Sequence, residues 1–277
     1  MKTRIISAII GISLMVFILF FYKTLILNFA ISIICCMMMY EMFCATKLKE
    51  NCFIFFVGSL LYSFLFPFLK TEIFGDLRLI FFCLYFVFSL VCLLKNKDKT
   101  NIYNLIFCYF FTVLVANFIT NIVYIRTECK PFGLYYIMFI FLISWICDAF
   151  AYFFGRKFGK TLLAPKISPK KTVEGAICGF AFSFISIYIF NFLFLKMFPL
   201  EVFVNYVSLF FATFFGAIFS IVGDLIMSVL KRKNKIKDFG DLIKGHGGVL
   251  DRFDSVLLVT VFLYYYVKLF PILFLKG

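Results

Sequence analysis

The chain has 277 residues, 64% of them apolar, with 45 Phe and a formal net charge of +14. That apolar share lies far above that of soluble domains. Apolar runs of at least about 17 residues recur along the chain, and the ten-residue alternation of a membrane β-barrel is absent. The expected class is therefore an all-α, polytopic integral membrane protein. In a soluble chain the basic excess would point to nucleic acid. Here it reads as a topology signal and as contact with anionic membrane lipids, so no nucleic-acid partner is expected. The ten cysteines are scattered, mostly within apolar runs, and read as small buried hydrophobes rather than as a disulfide or metal framework.

Taken in order, residues 1–4 are basic and residues 5–21 are apolar, like the opening of a signal peptide. No small-residue cleavage site follows, so the stretch reads as a retained first helix. Further spans are predicted at 25–43, 52–69, 77–94, 102–125, 133–154, 174–198, 203–230 and 255–275, about nine in all. The expected organisation is a single membrane domain over 1–277, with hydrophobic helices in 1–130 and the chemistry in 131–277. Placing the N-terminus in the cytoplasm and alternating puts 20 of the 28 Lys and Arg on the cytoplasmic side. This asymmetry supports a cytoplasmic N-terminus, a C-terminus outside and an active site on the cytoplasmic face. A short chain of this kind fits a bacterial plasma (inner) membrane.

The first five spans carry little that looks chemical. Glu41, near the inner end of the second span, reads as a residue reaching the interface. Cys129 is expected in an outer loop. The first informative region is 148–175, DAFAYFFGRKFGKTLLAPKISPKKTVEG. Its portion 155–172 has six basic residues and no acid. Ser168-Pro169 suits a helix start, with Ser as N-cap and Pro at the first helical position. Equally, Lys170, Lys171 and Thr172 crowd the beginning of a helix, where basic groups and hydroxyls are suited to holding phosphate.

The second informative region is 223–254, GDLIMSVLKRKNKIKDFGDLIKGHGGVLDRFD, which contains the sequence's one histidine, His246. On a continuous helix Asp224, Ser228 and Lys231 follow an i, i+4, i+7 pattern and share a face. An ionisable group in an apolar segment costs roughly 2.5–3.5 kcal/mol at mid-membrane and less near the interface. Asp224 is thus expected to face a cavity, a cation or a basic partner, Lys231 and Arg232 being the basic candidates. Gly245-His246-Gly247-Gly248 reads as a flexible turn able to bring backbone N–H groups close to an anion.

At these residues the chain resembles the phosphatidate cytidylyltransferase (CDP-diacylglycerol synthase) family. The resemblance is carried by Ser228, Lys231-Arg232, Lys237-Asp238, Gly240, His246-Gly247-Gly248, Asp251-Arg252 and Asp254. It is carried again by Asp148, Ala151, Tyr152, Gly155, Arg156, Gly159 and Lys160 with the following SPKKTxEG segment. Two positions depart from the pattern: Lys244 stands where Pro or Gly is usual, and Val173 where Trp is usual. The resemblance is strong over the C-terminal half of the chain; the N-terminal half matches only in being hydrophobic helices. It implies transfer of CMP from CTP to phosphatidate, giving CDP-diacylglycerol and pyrophosphate, with CTP, phosphatidate and membrane lipids as partners and a homodimer as the common assembly.

In that reaction the nucleophile is already an anionic phosphate, so no Ser, Cys or His nucleophile is needed. The difficulty is electrostatic, and divalent metal with Lys and Arg clamps addresses it. Asp224 and Asp251 are the expected metal ligands, with Asp148 and Asp254 as further candidates. Two bare carboxylates about 4 Å apart repel by roughly 4 kcal/mol at an effective dielectric of 20, which a cation would reverse. An all-oxygen donor set points to Mg²⁺ or Mn²⁺, with room for a second cation. Capping or pairing with Arg252 is the plainer reading of Asp251, capping that of Asp254, and pairing with Lys231 or Arg232 that of Asp224. The expected catalytic set is Asp224, Asp251, Lys171, Lys231, Arg232 and His246, the last as a donor to phosphate or to departing pyrophosphate. The expected substrate-binding set is Ser168, Lys170, Thr172, Ser228, Gly247, Gly248 and Arg252. A CTP-dependent polyprenol or lipid kinase is the alternative enzyme. An ion-coupled transporter, with Asp148 and Asp224 lining its path, is the alternative of another class.

Overall fold

A computed structural model describes residues 2–71, 75–95, 102–197, 201–243, 245 and 247–275. Along the chain come α1 (Lys2–Phe20), α2 (Ile26–Ala45), the single turn α3 (Leu48–Asn51) and α4 (Phe53–Leu65). The short strands β1 (Lys70–Thr71) and β2 (Gly75–Asp76) lead to α5 (Arg78–Lys95), α6 (Ile102–Glu128) and α7 (Gly133–Phe158). Then follow β3 (Leu162–Ala164), β4 (Ser168–Thr172), α8 (Val173–Met197), β5 (Val202–Val204), α9 (Tyr206–Lys233), α10 (Leu250–Leu269) and β6 (Leu273–Leu275). The architecture is all-α, the strands forming only two-stranded antiparallel pairs.

Six of these helices, α2 and α5 to α9, are long and apolar enough to cross a membrane; α1 and α4 contain shorter apolar stretches. Each of the about nine predicted spans coincides with a helix among the described residues. The last, α10, has Asp251, Arg252 and Asp254 in its first turns and Lys268 in its last, which removes it from the long apolar set. Among the described residues, six is thus the number of spans that length and composition support.

The chain divides into two compact units, Met1–Val123 with Lys233–Arg252, and Tyr124–Arg232 with Phe253–Gly277. In the first, α2 packs on α4, with the rings of Phe43 and Phe55 5.5 Å apart, and Met38, Met39 and Met42 of α2 are buried. Polar side chains in this apolar setting are spent on backbone carbonyls: Asn28 Nδ2 donates to Pro67 O (2.7 Å) and Ser32 Oγ to Phe64 O (2.7 Å). Tyr85 stacks on Tyr62 with ring centroids 4.4 Å apart, and its hydroxyl lies 2.7 Å from Ser59 Oγ. Those rings fill volume while the phenol finds a partner.

In the second unit α7 and α8 form the most extensive helix pair. Their backbones meet at Gly175, where a Cβ would stand 2.5 Å from Ala151 O, so a larger residue would push the helices apart. Phe150 stacks on Phe182 across the same pair at 4.1 Å. At the other end of these helices β5 pairs with β6, Lys268 forms an ion pair with Glu128, and the Tyr264 hydroxyl donates to Glu128 at 2.9 Å. Cys129 sits beside this group, half-buried and outside the long apolar helices.

Candidate functional site

In the second unit the polar groups of α7, α9, α10 and the β3–β4 hairpin come together. Asp148 on α7 accepts a hydrogen bond from Ser255 Oγ of α10 through Oδ2 (2.7 Å). Ser220 Oγ on α9 reaches Ser144 O on α7 at 3.4 Å. Asp224 lies one turn further along α9, and its Oδ1 accepts from Ser228 Oγ at 3.4 Å, as the i, i+4 spacing predicts. Asp254, 7% exposed, takes the Ser255 N–H on Oδ1 (2.9 Å) and has Lys231 Nζ 3.7 Å from Oδ2. Asp254 is within electrostatic reach of Asp224 and Asp148 as well as of Lys231. Three helices thus contribute one carboxylate each to a common neighbourhood.

The expected partners of Asp224 need correction. Lys231, on the same helical face by spacing, approaches Asp254 instead. The basic partner of Asp224 is Lys171, whose Nζ is 2.5 Å from Oδ2, both side chains being about one quarter exposed (23% and 25%). The spacing along α9 could not reveal this, because Lys171 arrives from a hairpin far upstream, before α8.

That hairpin also revises the predicted helix start at Ser168-Pro169. Ser168 and Pro169 belong to β4, paired with β3 in the register Leu162↔Thr172 and Ala164↔Ser168. The helix begins at Val173, and its cap is Thr172, whose Oγ1 accepts the Gly175 N–H at 3.1 Å. The hydroxyl expected to hold phosphate therefore already serves the helix. Glu174 accepts the N–H groups of Lys160 (3.1 Å) and Thr161 (3.1 Å), and Val173 N–H donates to Thr161 O at 2.9 Å. Arg232 Nε, at the end of α9, donates to Ile167 O in the hairpin turn (3.2 Å). These bonds hold the exposed Lys170 and the half-buried Lys171 on one strand beside the helix start.

In the first unit the Gly-rich loop is held by two carboxylates. Asp251 Oδ2 accepts the N–H groups of Phe239 (2.9 Å) and Gly248 (3.0 Å), so the capping reading describes this oxygen. The Gly248 N–H, expected to face an anion, is directed to Asp251. Gly245 and Gly247 have positive φ (82° and 87°), and Ile243 N–H closes the turn onto Gly247 O at 3.0 Å. His246 and Lys244 lie outside the described residues.

The second carboxylate is Glu41. It does not reach the interface, as its place near a helix end suggested, but is 1% exposed. Its two oxygens accept the N–H groups of Val249 and Leu250, both at 2.8 Å. The available signal was an acid inside an apolar run, which is costly unless it has a dedicated partner. That partner lies near the opposite end of the chain and could not be named from spacing.

The acids, hydroxyls and amides at these positions are hard oxygen and nitrogen groups. No three of the described His, Cys, Asp and Glu residues converge as a ready-made metal cage. Mg²⁺ does not require one, since it commonly takes one or two carboxylates, keeps waters and completes its shell with substrate phosphates. The donor set fits that ion better than zinc.

A family model described as Cytidylyltransferase family matches residues 2–270. The phosphatidate cytidylyltransferase of Haemophilus influenzae is 31% identical over 96% of this chain and 98% of that protein. That of Thermotoga maritima is 30% identical over 94% of this chain and 93% of its own length. That of Bacillus subtilis is 42% identical over 139 residues, spanning about half of each chain (50% and 49%). The likeness therefore extends well beyond the C-terminal half, into helices that by sequence pattern matched only in being hydrophobic.

Proposed function

The chain belongs to the cytidylyltransferase family, and from that membership we propose that it transfers CMP from CTP to phosphatidate, giving CDP-diacylglycerol and pyrophosphate. A phosphate oxygen of phosphatidate attacks the α-phosphorus of CTP. The bond from that phosphorus to the oxygen leading to the β-phosphate breaks, and pyrophosphate departs with the bonding electrons. The observation that carries the reading is the family match over nearly the whole chain.

The site assignments follow the chemistry. Lys171, held beside Asp224 by the β3–β4 hairpin, brings positive charge to a substrate phosphate, with Lys170, Lys231 and Arg232 supplying the rest of the clamp. Ser168 and Ser228 are hydroxyl donors to the same groups. Asp224 is the principal metal-ligand candidate, with Asp148 and Asp254 in its neighbourhood. Asp251 as a ligand, and Arg252, Gly247, Gly248 and His246 as substrate contacts, rest on the sequence signature alone. Bound Mg²⁺ or Mn²⁺ would neutralise triphosphate charge and polarise the α-phosphorus. The membrane arrangement proposed is a single multi-pass domain of about nine spans in a bacterial plasma membrane. Its N-terminus and active site face the cytoplasm, its C-terminus lies outside, and a homodimer is the assembly.

The test is a transfer assay with purified full-length protein, phosphatidate, Mg²⁺ and α-labelled CTP. Label should enter lipid and EDTA should stop it. Label entering lipid only from γ-labelled CTP, with polyprenol as acceptor, would replace this reading by a lipid kinase.

A further inference from the structure

We infer that Glu41 is a positioning residue for the proposed reaction, fixing the Gly-rich loop between α9 and α10 from a helix in the other half of the sequence. Its carboxylate accepts two successive backbone N–H groups, Val249 and Leu250, each at 2.8 Å. These are the first donors of α10, which have no partners within the helix itself. The negative charge also complements the positive end of that helix. Gly248 adds a steric lock, since a Cβ there would lie 2.5 Å from Glu41 Oε2. Gly240 closes on the same side chain, where a Cβ would be 2.9 Å from Oε1.

The lock is shared with a residue of the sequence signature. Gly248 N–H goes to Asp251, and the next two N–H groups go to Glu41. Three consecutive amides are thereby divided between two carboxylates, and a fourth, Phe239 N–H, ties the start of the loop to Asp251. Loosening Glu41 frees the segment on which the orientation of Asp251 and Arg252 depends. Burial of a carboxylate in α2 is costly, and charge-assisted bonds to two amides offset that cost. No contact with substrate is required of Glu41.

The inference rests on the proposed cytidylyl transfer for its catalytic consequence, and its structural half is tested separately. Purified full-length Glu41→Gln and Glu41→Ala variants are compared with the parent in the transfer assay and by hydrogen exchange. Glu41→Ala should lower kcat by about 10- to 100-fold, the range for removing a group that orients a metal ligand, here the proposed ligand Asp251. The KM for CTP should rise by a smaller factor, because Gly247, Gly248 and Arg252 of the same segment are proposed substrate contacts while the Lys171 clamp is untouched. Glu41→Gln keeps one carbonyl acceptor and should recover part of the loss. Exchange at the 239–250 peptide should quicken in the order parent, Gln, Ala, while peptides from α7 and α8 stay protected. Gly248→Ala should reproduce the Glu41→Ala phenotype, and the double variant should be no worse than Glu41→Ala alone.

Wild-type kcat and loop exchange in a folded Glu41→Gln protein, with an additive double variant, would overturn the inference. A uniform rise in exchange over all helices would also overturn it, by making Glu41 a general packing residue. If the parent protein makes no CDP-lipid, the reaction fails, and the loop exchange of Glu41→Gln still decides whether the lock exists.

Discussion

Two groups of carboxylates in this protein are handled differently. In the first unit Glu41 and Asp251 accept backbone N–H groups, four in all among the described bonds. In the second, Asp148, Asp224 and Asp254 meet mainly side chains: a serine, a lysine with a serine, and a lysine, respectively. Acids bound to the backbone shape the chain, because their partners cannot leave without unfolding a turn. Those facing lysines and hydroxyls on flexible stems have partners that can move toward a ligand. The difference separates a framework from a surface equipped for charge chemistry, although both are rich in Asp, Glu and Gly.

The division is most exposed to test at Asp224. Asp224→Asn should reduce CDP-lipid formation by on the order of 10²–10³-fold, the range for losing one group that stabilises developing charge. The protein should remain folded in detergent, as judged by its helical circular dichroism. A near-parental rate would move Asp224 out of the charge chemistry. Next, Lys171→Ala should raise the KM for CTP or phosphatidate by about 10- to 100-fold, since a charge-assisted phosphate contact is lost. Unchanged kinetics would leave Lys171 as a counter-charge to Asp224 and nothing more.

Glu174 probes the same division from within, because it is a framework acid inside the second unit. Glu174→Ala should cost about tenfold in rate through a looser β3–β4 hairpin, with faster hydrogen exchange at Lys160 and Thr161. A normal rate with fast exchange would show that hairpin order does not limit turnover.

Two further changes concern the opposite end of the helices. Burial, together with the neighbouring Glu128 charge, pushes the Cys129 thiol up to about 11. Below that pH the neutral thiol dominates, so alkylation should be slow at pH 8, with a thiolate fraction of about 10⁻³, and rise about tenfold per pH unit until it levels near 11. Fast labelling at pH 8 would mean that the site is not buried as described. Lys268→Met should change stability by about 1 kcal/mol or less, because this side chain is 43% exposed and exposed ion pairs contribute little. Activity should not change, since Lys268 stands in the last turn of α10 and Asp254 near its start, on the order of 20 Å apart along the helix. A loss of turnover there would link the two ends of α10.

Much of the helical layout was legible in the chain. Apolar runs of helical length located most helices to within a few residues, the exception being α10, predicted at 255–275 and found at Leu250–Leu269, since a membrane leaves the backbone few other ways to satisfy its polar groups. The i, i+4 pair of Asp224 and Ser228 was also legible, because helix geometry alone brings them together. Of the two readings of Ser168-Pro169, the helix start gives way to strand pairing with Leu162–Ala164, whereas the span predicted from 174 agrees with the helix start at Val173. The count of six falls short of about nine because the apolar stretches of α1 and α4 are short and α10 combines an apolar body with charged ends, so length and composition among the described residues leave these three out.

Residue order alone was enough to establish a helical membrane protein, the family signature it carries, and the residue types available for phosphate and metal chemistry. Packing had to bring Lys171 to Asp224, turn Lys231 to Asp254, and set Glu41 against the start of α10. The physical reason is range. Periodicity, capping and hydrophobic length act over a few residues to a few turns, whereas these charge pairings join segments distant in the chain, in the case of Glu41 from opposite halves of it, and exist only after the helices have packed.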